Sequence, residues 1–456
     1  MPAPLARAHA VAEAVRAAGG RAFIVGGWVR DRILGLDSKD IDIEVFGVPS
    51  ERLRVVLESL GPVETVGESF QVLKAGDIDV SLPRRESKSG QGHKGFHVSG
   101  DPTMSTVDAA RRRDFTINAI SWDPLSEEYL DPFGGRDDLE HKRLRAVDAT
   151  SFPDDSLRVL RAVQFAARFN LEPDADLRVL CRSIPLDDLP AERVWGEVEK
   201  LLFATRPSTG FALALDLRVI EQLFPELHAL VGCPQEPDWH PEGDVWVHTL
   251  QVIDQTRTRL GGLPRPQQIA LMLGAVCHDL GKPSTTAFID GRIRSMNHEE
   301  FGVQPTETVL DRLNVHSIGG YDVRRQVIGL VAQHLKPGMW FKTRDEVGDG
   351  AFRRLSQKVD LKLLALLAKS DCMGREPGLF NCQAMDWFLE RARALGVEHR
   401  PPAPILLGRH VLALGVEPGP RVGHILKAVY EQQLDGVVAT LEEAIVSAQR
   451  RLKEHQ

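Results

Sequence analysis

Hydrophobic and polar positions alternate in short runs over the first part of the chain, a pattern typical of a mixed α/β domain. The stretch Ala3–Ala18 predicts an opening helix, and the apolar run Ala22–Val25 predicts a strand that is closed by two glycines. Asp40–Phe46 alternates between polar and apolar residues, as a half-buried strand does. The other elements predicted here are a helix ending at Leu34 and strands at Gln71–Leu73 and Ile78–Leu82.

From Leu139 onward the strand pattern almost vanishes and helical spacing takes over. Leu157–Phe169 and Pro190–Phe203 are the clearest predicted helices. The longest apolar run, Ile269–Cys277, falls well short of the ~20 residues that a membrane span needs. It therefore predicts a buried helix, and no contact with a membrane is expected.

Glycine, serine and proline mark the predicted breaks. Ser87–Pro102 is rich in Gly, Ser and Lys and predicts a mobile loop. Pro234–Pro241 predicts a linker between helical regions, and Arg400–Pro404 predicts a second break before a tail that ends in a charged helix. With 456 residues the chain exceeds one ordinary hydrophobic core, so several domains are expected.

The composition is that of a soluble globular protein, with 43% apolar and 26% charged residues. The cysteines are scattered without a CxxC pair, which favours a reducing, cytoplasmic compartment and argues against a zinc ribbon. The net charge of −8 opposes non-specific attraction to nucleic acid, but a local basic groove could still bind a backbone. The residues that would form such a groove, or equally a solvated face, are Arg84, Arg85, Lys88, Lys94 and Arg111–Arg113.

Two carboxylates, Asp40 and Asp42, fall on one face of the predicted strand because strand side chains alternate. Two like charges this close together are unfavourable unless a divalent cation lies between them, and oxygen-rich sites suit Mg²⁺. Asp79, on a neighbouring predicted strand, could complete the site as a third and weaker ligand. An Asp-x-Asp pattern is common by chance, so this prediction depends on its surroundings.

A glycine pair precedes these carboxylates. Gly26 and Gly27 stand between a predicted strand and a predicted helix, where backbone N–H groups can approach a phosphate and the helix N-terminus favours an anion. Arg30 can add a fork of donors to phosphate oxygens. The same glycines would suit an ordinary strand–helix turn, and neither a Rossmann fingerprint nor a Walker loop is present.

Five motifs, in this order along the chain, resemble those of the CCA-adding enzyme and poly(A) polymerase family. GGWVRD at 26–31, with DID at 40–42, looks like the opening signature of that family. The motifs that follow are RRDFTINA (Arg112–Ala119), DPFGGRDDL (Asp131–Leu139), DDSLRVLRA (Asp154–Ala162) and ERVWGE (Glu192–Glu197). Their shared order makes coincidence implausible.

The resemblance assigns roles to the first motifs. Asp40 and Asp42 are expected to hold two Mg²⁺ ions, one that activates the 3′-hydroxyl of an RNA and one that steadies the triphosphate leaving group. RRDFTINA implies that Arg113, Asp114 and Asn118 bind the ribose and phosphates of the nucleotide.

The motif DDSLRVLRA implies that Asp155, Arg158 and Arg161 bind the nucleotide, and at helical spacing Asp155 and Arg158 share a face. Cytosine and adenine present an amino donor beside an unprotonated ring nitrogen, whereas guanine and uracil present a carbonyl beside an N–H. A carboxylate next to a guanidinium therefore accepts C and A. The family usually has Glu-Asp where this chain has Asp154-Asp155, which leaves the role of Asp154 open. Glu192, Arg193 and Glu197 are expected to brace this helix. The pair Gly134–Gly135 is expected to act as a hinge between the catalytic and base-reading parts.

A second group of residues lies in the C-terminal half. His278-Asp279 opens the segment HDLGKP, and His248 precedes it. The group is completed by His298, His334 and Asp371. In this order the residues resemble the HD metal-dependent phosphohydrolase domain, and such ligands suit Mn²⁺, Ni²⁺ or Fe²⁺, or Mg²⁺ at a more oxygen-rich site. The resemblance implies phosphatase and 2′,3′-cyclic phosphodiesterase activity on damaged RNA ends; a structural relic is the alternative.

Together the resemblances imply an α+β fold with a polymerase-β-like nucleotidyltransferase head, a largely helical body and an all-α HD domain. The expected divisions are a head at 1–140, a helical base-recognition and RNA-binding region at 141–235, the HD domain at 236–395 and a helical tail at 396–456.

The CCA-adding and poly(A)-adding branches of the family share these motifs. Bacterial poly(A) polymerases carry an additional Arg-rich phenylalanine motif, and the corresponding stretch here, Val66–Val80, has none. The loop Ser87–His97 has the length usual in enzymes that add the complete CCA. We therefore expect addition of CMP, CMP and AMP to the tRNA 3′ end from CTP and ATP. The alternatives are a poly(A) polymerase, a CC-adding or A-adding relative, and a regulatory HD hydrolase with an inactive head; the oligomeric state is not predicted.

Overall fold

The computed structural model describes residues 3–38, 40–66, 72–88, 96–375 and 381–454. The chain forms two compact units. The first comprises Met1–Thr205 with Thr209–Leu223, and the second comprises Arg206–Ser208 with Phe224–Gln456. The predicted domain limits at residues 140, 235 and 395 stay predictions.

The first unit opens as an α/β domain and continues as a set of helices. Its α/β part contains α1 (Ala3–Ala17), β1 (Arg21–Val25), α2 (Gly27–Ile33), β2 (Ile41–Phe46), α3 (Ser50–Glu58), β3 (Glu64–Val66), β4 (Val72–Ala75), β5 (Ile78–Ser81), β6 (Arg84–Lys88), β7 (Phe96–Gly100), α4 (Thr106–Arg111), a 3-10 helix (Thr116–Asn118), β8 (Ser121–Trp122), β9 (Tyr129–Leu130), α5 (Gly135–Glu140) and β10 (Arg143–Leu144). A second 3-10 helix (Phe152–Asp154), α6 (Leu157–Phe169), β11 (Glu172–Pro173), α7 (Ala175–Ser183), α8 (Ala191–Leu202), α9 (Pro207–Asp216) and α10 (Val219–Leu223) follow.

The second unit is largely helical. It contains α11 (Pro225–His228), α12 (Val245–Arg257), α13 (Arg265–Cys277), α14 (Lys282–Thr285), β12 (Thr286–Ile289), β13 (Arg292–Ser295), α15 (His298–Phe301), α16 (Val303–Arg312), β14 (Ser317–Ile318), β15 (Tyr321–Asp322), α17 (Val323–Gln333), α18 (Lys336–Lys342), α19 (Asp349–Leu355), α20 (Leu361–Met373), α21 (Gln383–Ala394), α22 (Gly408–Ala413), α23 (Pro420–Leu434) and α24 (Leu441–Glu454). Within the described residues, no helix is long and apolar enough to cross a membrane.

A seven-stranded sheet organises the head, with strand order β3-β4-β5-β2-β1-β8-β9. Strand β2 lies in its middle, antiparallel to β1 and parallel to β5. The apolar side chains of β1 and β2, such as Phe23 and Ile43, are buried, which explains why these short runs fold as inner strands. The register sets Asp42 beside Asp79 on the neighbouring strand.

The helices of the second unit pack around α13. Every residue of this helix from Ile269 to Cys277 is buried, as the continuous apolar run predicts. The tail folds around a small core of its own, formed by Leu406, Val411, Val416, Ile425, Val429, Val438, Ala444 and Ala448. Arg354 on α19 joins the tail to the rest of this unit through ion pairs with Glu431 and Asp435.

Several predictions are wrong in places. The segment predicted as a loop at 87–102 includes the end of β6 and all of β7, which pair as a two-stranded sheet, while residues 89–95 lie outside the described residues. The region predicted as all-α carries the hairpin β12–β13, because the turn Asp290-Gly291 allows the chain to reverse. Cys372 and Cys382, expected to be unpaired in a reducing compartment, form a disulfide, while Cys181, Cys233 and Cys277 are free and buried.

Candidate functional sites

A polar cavity of about 460 Å³ lies in the first unit, between the glycine turn, the RRDFTINA segment and helix α6. It brings together all nine residues that the sequence predicts for nucleotide binding, from three separate motifs. The predicted residues that line it are Gly26, Gly27, Arg30, Asp42, Arg113, Asp114, Asn118, Asp155, Arg158 and Arg161. Further basic residues in the wall are Arg112, Arg168, Arg193 and Lys200.

The glycine turn brings backbone close to the carboxylate strand. Gly26 has a φ of 74°, which favours glycine, and a side chain there would lie 3.8 Å from both Arg113 Nη1 and Asp42 Oδ2. The backbone at Gly26 therefore faces the gap between a guanidinium and a carboxylate.

Three carboxylates approach this gap. Asp42 lies on β2, Asp40 immediately precedes that strand, and Asp79 lies beside Asp42 on β5. Loss of solvent around the Asp42 carboxylate raises its pKa, Arg113 opposes this, and the negative charges of Asp79 and Asp40 add to the rise. Lys74 Nζ lies 3.0 Å from Asp79 Oδ1, so Asp79 already has a cationic partner. The pair Asp40 and Asp42 therefore remains the stronger prediction for cation ligands.

Glu44 is a site residue that the sequence prediction missed. It follows Asp42 by two positions on β2, and only 3% of it is exposed. Its carboxylate lies 2.5 Å from Arg112 Nη2 and 3.6 Å from Arg113 Nη2. This buried carboxylate fixes the RRDFTINA segment against the carboxylate strand. The two-residue spacing Asp40-Asp42-Glu44 was the signal that could have revealed it.

Asp114 is the centre of a buried hydrogen-bond network. Its Oδ1 accepts from the backbone N–H of Phe115 at 2.8 Å and from Asn118 Nδ2 at 3.0 Å. Its Oδ2 accepts from Arg161 Nε at 2.6 Å. Burial alone would raise the pKa of Asp114, but Arg161 and these hydrogen bonds outweigh it, so the pKa is lowered. Asp114 is therefore ionised and links the RRDFTINA segment to helix α6.

Arg30 lines the cavity, yet its donors are already engaged. Its Nη1 donates to Asn118 Oδ1 at 2.8 Å, and its Nε and Nη2 donate to Asp31 Oδ1 at 2.9 and 2.6 Å. Its guanidinium carbon lies 4.2 Å from the centroid of the Phe169 ring. Burial lowers the pKa of Arg30, while Asp31 opposes that change. These contacts of Arg30 orient Asn118. The sequence analysis predicts phosphate binding for Arg30 but not this second role.

The expected side-by-side placement of Asp155 and Arg158 on one helix is wrong. Asp155 is in extended conformation before α6, directly after the short 3-10 helix Phe152–Asp154. Asp155 Oδ2 accepts from Arg193 Nη2 at 2.8 Å, on helix α8. Arg158 donates instead to two backbone carbonyl oxygens, those of Ser151 and Arg112, at 2.9 and 3.0 Å. Both side chains nevertheless line the same cavity, with Arg193 added as a guanidinium partner.

Close packing of the backbone explains why glycines stand at the predicted hinge pair Gly134–Gly135. Gly134 precedes α5 in the left-handed conformation, with φ 74° and ψ 30°. A Cβ atom at Gly135 would lie 2.1 Å from the Thr116 carbonyl oxygen. The buried Asp138 accepts from the Thr116 hydroxyl at 2.6 Å and joins the same two segments. Gly135 thus lets α5 contact the short helix that carries Asn118.

In the second unit, the six residues predicted from the C-terminal half come together in a buried cluster. They lie on α12 and α20, at the start of α15, and directly after the ends of α13 and α17. In each of the four histidines Nδ1 lies within hydrogen-bond distance of an oxygen outside the cluster, so that Nε2 faces inward. These oxygens are Glu242 Oε1 for His248 (2.7 Å) and the carbonyl oxygens of Ala275, Ser295 and Val331 for His278 (2.9 Å), His298 (2.8 Å) and His334 (2.7 Å).

The cluster contains two sets of potential ligands. In the first set, His248, His278 and Asp371 offer ligand atoms within 4.8 Å of one another; in the second, Asp279, His298 and His334 do so. Asp279 lies between the sets, with Oδ2 3.1 Å from His278 Nε2 and Oδ1 3.3 Å from His298 Nε2.

The charges of the cluster fit metal binding. His278 Nε2 is buried and has no hydrogen-bond partner among the described residues. Burial and the neighbouring His298 and His278 lower the pKa of His334 to about 3, so this imidazole is neutral. Burial opposes ionisation of Asp279, but His278 and Lys282 hold its pKa well below the usual range. Burial opposes protonation of His248 and His298, but Asp371 and Glu242 raise the pKa of His248 and Asp279 raises that of His298. A divalent cation binds neutral imidazole, so its binding would displace protons from these two histidines.

The sequence prediction missed a second layer around this cluster. Glu242 Oε1 accepts from Nδ1 of both His240 and His248, at 2.8 and 2.7 Å. Burial would raise the pKa of Glu242, but these two hydrogen bonds lower it to about 2. The signal that could have revealed Glu242 was its position six residues before His248, close to a helix start.

The segment Pro234–Pro241, predicted as a linker, is part of the wall of this site. Gln235 Oε1 accepts from Lys282 Nζ at 2.6 Å, and Lys282 Nζ lies 2.8 Å from Asp279 Oδ2. Glu236 Oε2 accepts from the backbone N–H of Ile293 at 2.9 Å. The linker prediction is wrong because these polar residues find partners that are distant in sequence. The segment closes one side of a cavity of about 290 Å³ above the cluster.

The comparisons with known proteins agree with the motif pattern. A family model described as the poly A polymerase head domain matches residues 22–145, and one described as "Probable RNA and SrmB- binding site of polymerase A" matches residues 179–231. The Multifunctional CCA protein of Xylella fastidiosa (strain 9a5c) is 34% identical over 371 residues, which cover 78% of this chain and 84% of that protein. The chain belongs to the CCA-adding enzyme and poly(A) polymerase family.

Other members of the family extend the likeness over most of the chain. The Multifunctional CCA protein of Xanthomonas campestris pv. campestris (strain B100) is 33% identical over 420 residues, covering 89% of this chain and 95% of that protein. Two solved structures share the fold at 19% identity. The Bacillus stearothermophilus CCA-adding enzyme in complex with CTP has a TM-score of 0.65 and covers 100% of this chain and 99% of that chain. The Thermotoga maritima CCA-adding enzyme complexed with tRNA-CCA has a TM-score of 0.58, with coverage of 99% and 96%.

The family membership and the α+β fold, a nucleotidyltransferase head followed by a helical body, are therefore confirmed. The roles of individual site residues stay predictions, as do the domain limits and the nature of the histidine–aspartate cluster.

Proposed function

We propose that the chain is a tRNA CCA nucleotidyltransferase, which adds CMP, CMP and AMP from CTP and ATP to the tRNA 3′ end. The observation that carries the proposal is the first-unit cavity, where a glycine turn, the Asp42 carboxylate and a set of guanidinium groups converge from separate motifs. Similar proteins support it: relatives are Multifunctional CCA proteins, and solved structures of the same fold contain CTP, ATP or tRNA.

The donors around Asp42 fit Mg²⁺. Burial is the main cause that raises the pKa of Asp42, and the negative charges of Asp79 and Asp40 add to it, so a divalent cation beside these carboxylates would relieve their repulsion. All three donors are hard oxygen atoms, as Mg²⁺ prefers. Asp40 and Asp42 would hold the cation, with Asp79 as a weaker third ligand. When bound, Mg²⁺ lowers the pKa of the RNA 3′-hydroxyl and neutralises the triphosphate.

The remaining residues orient the nucleotide. Backbone at Gly26 and Gly27 and the Arg113 guanidinium would receive the triphosphate, while Asp114 and Asn118 offer an acceptor and donors for a ribose. Asp114 keeps its charge because Arg161 holds it at 2.6 Å.

Base selection belongs to the opposite wall. A carboxylate held by a guanidinium presents an acceptor next to a donor, which matches the amino group and ring nitrogen of cytosine and adenine. In this structure the pair is Asp155 with Arg193, and Arg158 supplies a second guanidinium nearby. Guanine and uracil, with a carbonyl beside an N–H, present the opposite pattern and would be rejected.

The proposal is tested by incubating the protein and Mg²⁺ with a tRNA that lacks its 3′ end. Four reactions contain CTP, ATP, both, or GTP with UTP, and the 3′ ends are then sequenced. We expect CC with CTP alone, CCA with both nucleotides and no product with GTP and UTP. A product that stops at CC with both nucleotides would make the chain a CC-adding relative. Long A tails with ATP alone would make it a poly(A) polymerase.

A second activity, metal-dependent phosphohydrolysis, is proposed for an HD domain at residues 236–395. The observation that favours it is the set of four histidines whose Nδ1 atoms are all fixed from outside, so that every Nε2 faces inward. The donor set of imidazoles and carboxylates fits Mn²⁺, Ni²⁺ or Fe²⁺, and Mg²⁺ less well. A bound cation would activate water and polarise a phosphoryl oxygen. Lys282, buried beside Asp279, places a positive charge where a phosphate oxygen would lie.

This second proposal is tested with 2′,3′-cyclic AMP and 2′-AMP in the presence of each cation in turn. We expect hydrolysis with at least one of Ni²⁺, Mn²⁺ and Fe²⁺. No hydrolysis of either compound with any of these cations, or with Mg²⁺, would make the cluster a structural relic.

A further inference from the structure

The wall of the second-unit cavity contains an exposed tryptophan that the proposed phosphohydrolase chemistry does not use. Trp239 lies in the segment Pro234–Pro241, next to His240, and lines the cavity together with Asp279 and His298. It is 44% exposed, so much of the indole remains in contact with solvent. An indole that keeps this much contact with solvent at the mouth of a polar cavity is available for a ligand.

Trp239 is held in place rather than loose. The guanidinium carbon of Arg292 lies 5.3 Å from the centroid of its ring, and Arg292 is paired with Asp238 at 3.4 Å. The flanking residue Glu236 binds the backbone of Ile293 on the same hairpin, β12–β13. With a guanidinium over one face, the indole has its other face left for a second planar group.

The rest of the cavity is divided by chemistry. At its base are the carboxylates and imidazoles of the cluster, with Lys282 beside Asp279. The more exposed part of the lining, to which Trp239 belongs, includes the apolar side chains of Ile293 and Met296, together with the polar residues Arg294 and Ser295; Met296 is 57% exposed. A ligand that fills both parts needs a phosphoester at one end and a flat, partly apolar ring at the other.

A nucleotide has this arrangement, with its phosphoester one ribose away from its base. Stacking of a base on an aromatic side chain stabilises binding by about 1–3 kcal/mol and tolerates different bases. We infer that Trp239 is a base-stacking residue, so that this cavity selects nucleotides and RNA 3′ ends over phosphoesters that lack a base. The inference rests on the phosphohydrolase activity proposed above and adds its specificity determinant.

The test compares 2′-AMP with glycerol 2-phosphate, a phosphomonoester of a secondary alcohol without a base. In the Trp239→Ala variant we expect KM for 2′-AMP to rise about 5- to 100-fold, in proportion to the lost stacking, with kcat nearly unchanged. Hydrolysis of glycerol 2-phosphate should not change. Trp239→Phe, which keeps an aromatic face, should restore most of the affinity for 2′-AMP. The matched control is Phe288→Ala, which removes a 76% exposed ring from β12 of the same hairpin and should alter neither substrate.

A binding measurement makes the test independent of metal and turnover. Trp239 is one of seven tryptophans in the chain. Titration of the metal-free protein with 2′-AMP should quench indole fluorescence. Trp239→Phe should remove the part of the quenching that comes from Trp239. An oligoribonucleotide ending in a 2′,3′-cyclic phosphate, compared with free 2′,3′-cyclic AMP, shows whether RNA ends bind as tightly as mononucleotides.

The outcomes separate the two proposals. Absence of hydrolysis of any substrate by the unaltered protein would overturn the phosphohydrolase proposal. If the unaltered protein hydrolyses 2′-AMP and glycerol 2-phosphate, but Trp239→Ala leaves KM for 2′-AMP and the quenching unchanged, the base-stacking role is wrong. An equal loss of activity on both substrates in Trp239→Ala would also contradict it, because it would show damage to the cavity rather than loss of a base contact.

Discussion

At the scale of single residues, the first-unit cavity depends on charges that are fixed by partners behind them. Asp114 receives hydrogen bonds from Asn118, Phe115 and Arg161, and Asn118 is held in turn by Arg30. Such a network orients its members before a nucleotide arrives, which lowers the entropic cost of binding. The carboxylates of Asp40 and Asp42 could be predicted from their spacing, which Glu44 shares. The ion pairs of Glu44 could not be predicted, because Arg112 and Arg113 are distant in sequence.

A pH dependence of stability follows from Asp114. Folding lowers the pKa of Asp114 below its ordinary value of 3.8, so the ionised carboxylate stabilises the fold at pH values above 3.8. That stability is lost as the pH falls from 3.8 through the lowered folded-state value, because the proton then binds. We expect Asp114→Asn to lower the urea midpoint of unfolding at pH 7, and the difference from the unaltered protein to shrink at acid pH. A difference that stays constant down to pH 3 would contradict this account.

Glu242 offers a second test at this scale, on metal affinity. Its carboxylate fixes Nδ1 of His248, and loss of such outer partners typically weakens metal binding about 10- to 100-fold. Glu242→Gln should therefore weaken binding of Ni²⁺, measured by isothermal titration calorimetry. Glu236→Gln is the matched control, since Glu236 lies in the same segment but binds the backbone of Ile293. Equal affinities in Glu242→Gln and in the unaltered protein would show that Glu242 does not position His248.

At the scale of elements, the sequence predicts those that follow from local pattern. Helix α6 has the predicted bounds, because its apolar residues recur with helical period and are buried on one side. The sequence does not reveal which residues form hydrogen bonds with residues far away along the chain. Gln235 and Glu236, in the segment Pro234–Pro241, form such bonds with Lys282 and Ile293. The same limit explains why Asp155 pairs with Arg193 on α8 rather than with Arg158 on its own motif.

The close approach of two elements beside the histidine cluster can be tested at Gly281. A Cβ atom there would lie 2.0 Å from the carbonyl oxygen of His298 and 2.5 Å from the backbone nitrogen of Gly302. Gly281→Ala should push α15 away from α14, destabilise the fold by about 1–3 kcal/mol and weaken Ni²⁺ binding through His298. Urea unfolding and calorimetry measure the two effects.

The matched control is Gly338→Ala on α18, where an added Cβ meets no heavy atom within 4 Å. It should leave Ni²⁺ binding unchanged and should not destabilise the fold, since alanine favours helix. Equal effects of the two substitutions would contradict the close packing of α14 and α15.

At the scale of the whole molecule, two proposed chemistries belong to two compact units, each with its own buried core. The nucleotide cavity lies in the first unit, and the histidine–aspartate cluster lies in the second. Among the residues that the structure describes, none lines both cavities. The two activities should therefore be lost independently.

Reciprocal variants test this independence. Replacement of His278 and Asp279 by Ala should abolish hydrolysis of 2′,3′-cyclic AMP and leave CMP transfer to tRNA within about two-fold of the unaltered protein, because the substitutions are confined to the second unit. Asp42→Asn should do the reverse. Loss of both activities in either variant would mean that the two chemistries share residues or that one unit requires the other.

The central claim is that Asp42, with Asp40, supports every nucleotide transfer, while specificity for C and A comes from the opposite wall of the cavity. The most direct measurement is sequencing of tRNA 3′ ends after incubation of a tRNA lacking its CCA with CTP, ATP and Mg²⁺, for the unaltered protein and for Asp42→Asn. We predict complete CCA ends for the unaltered protein and, for Asp42→Asn, loss of CMP and AMP addition together. Continued addition of either nucleotide by Asp42→Asn would contradict the account.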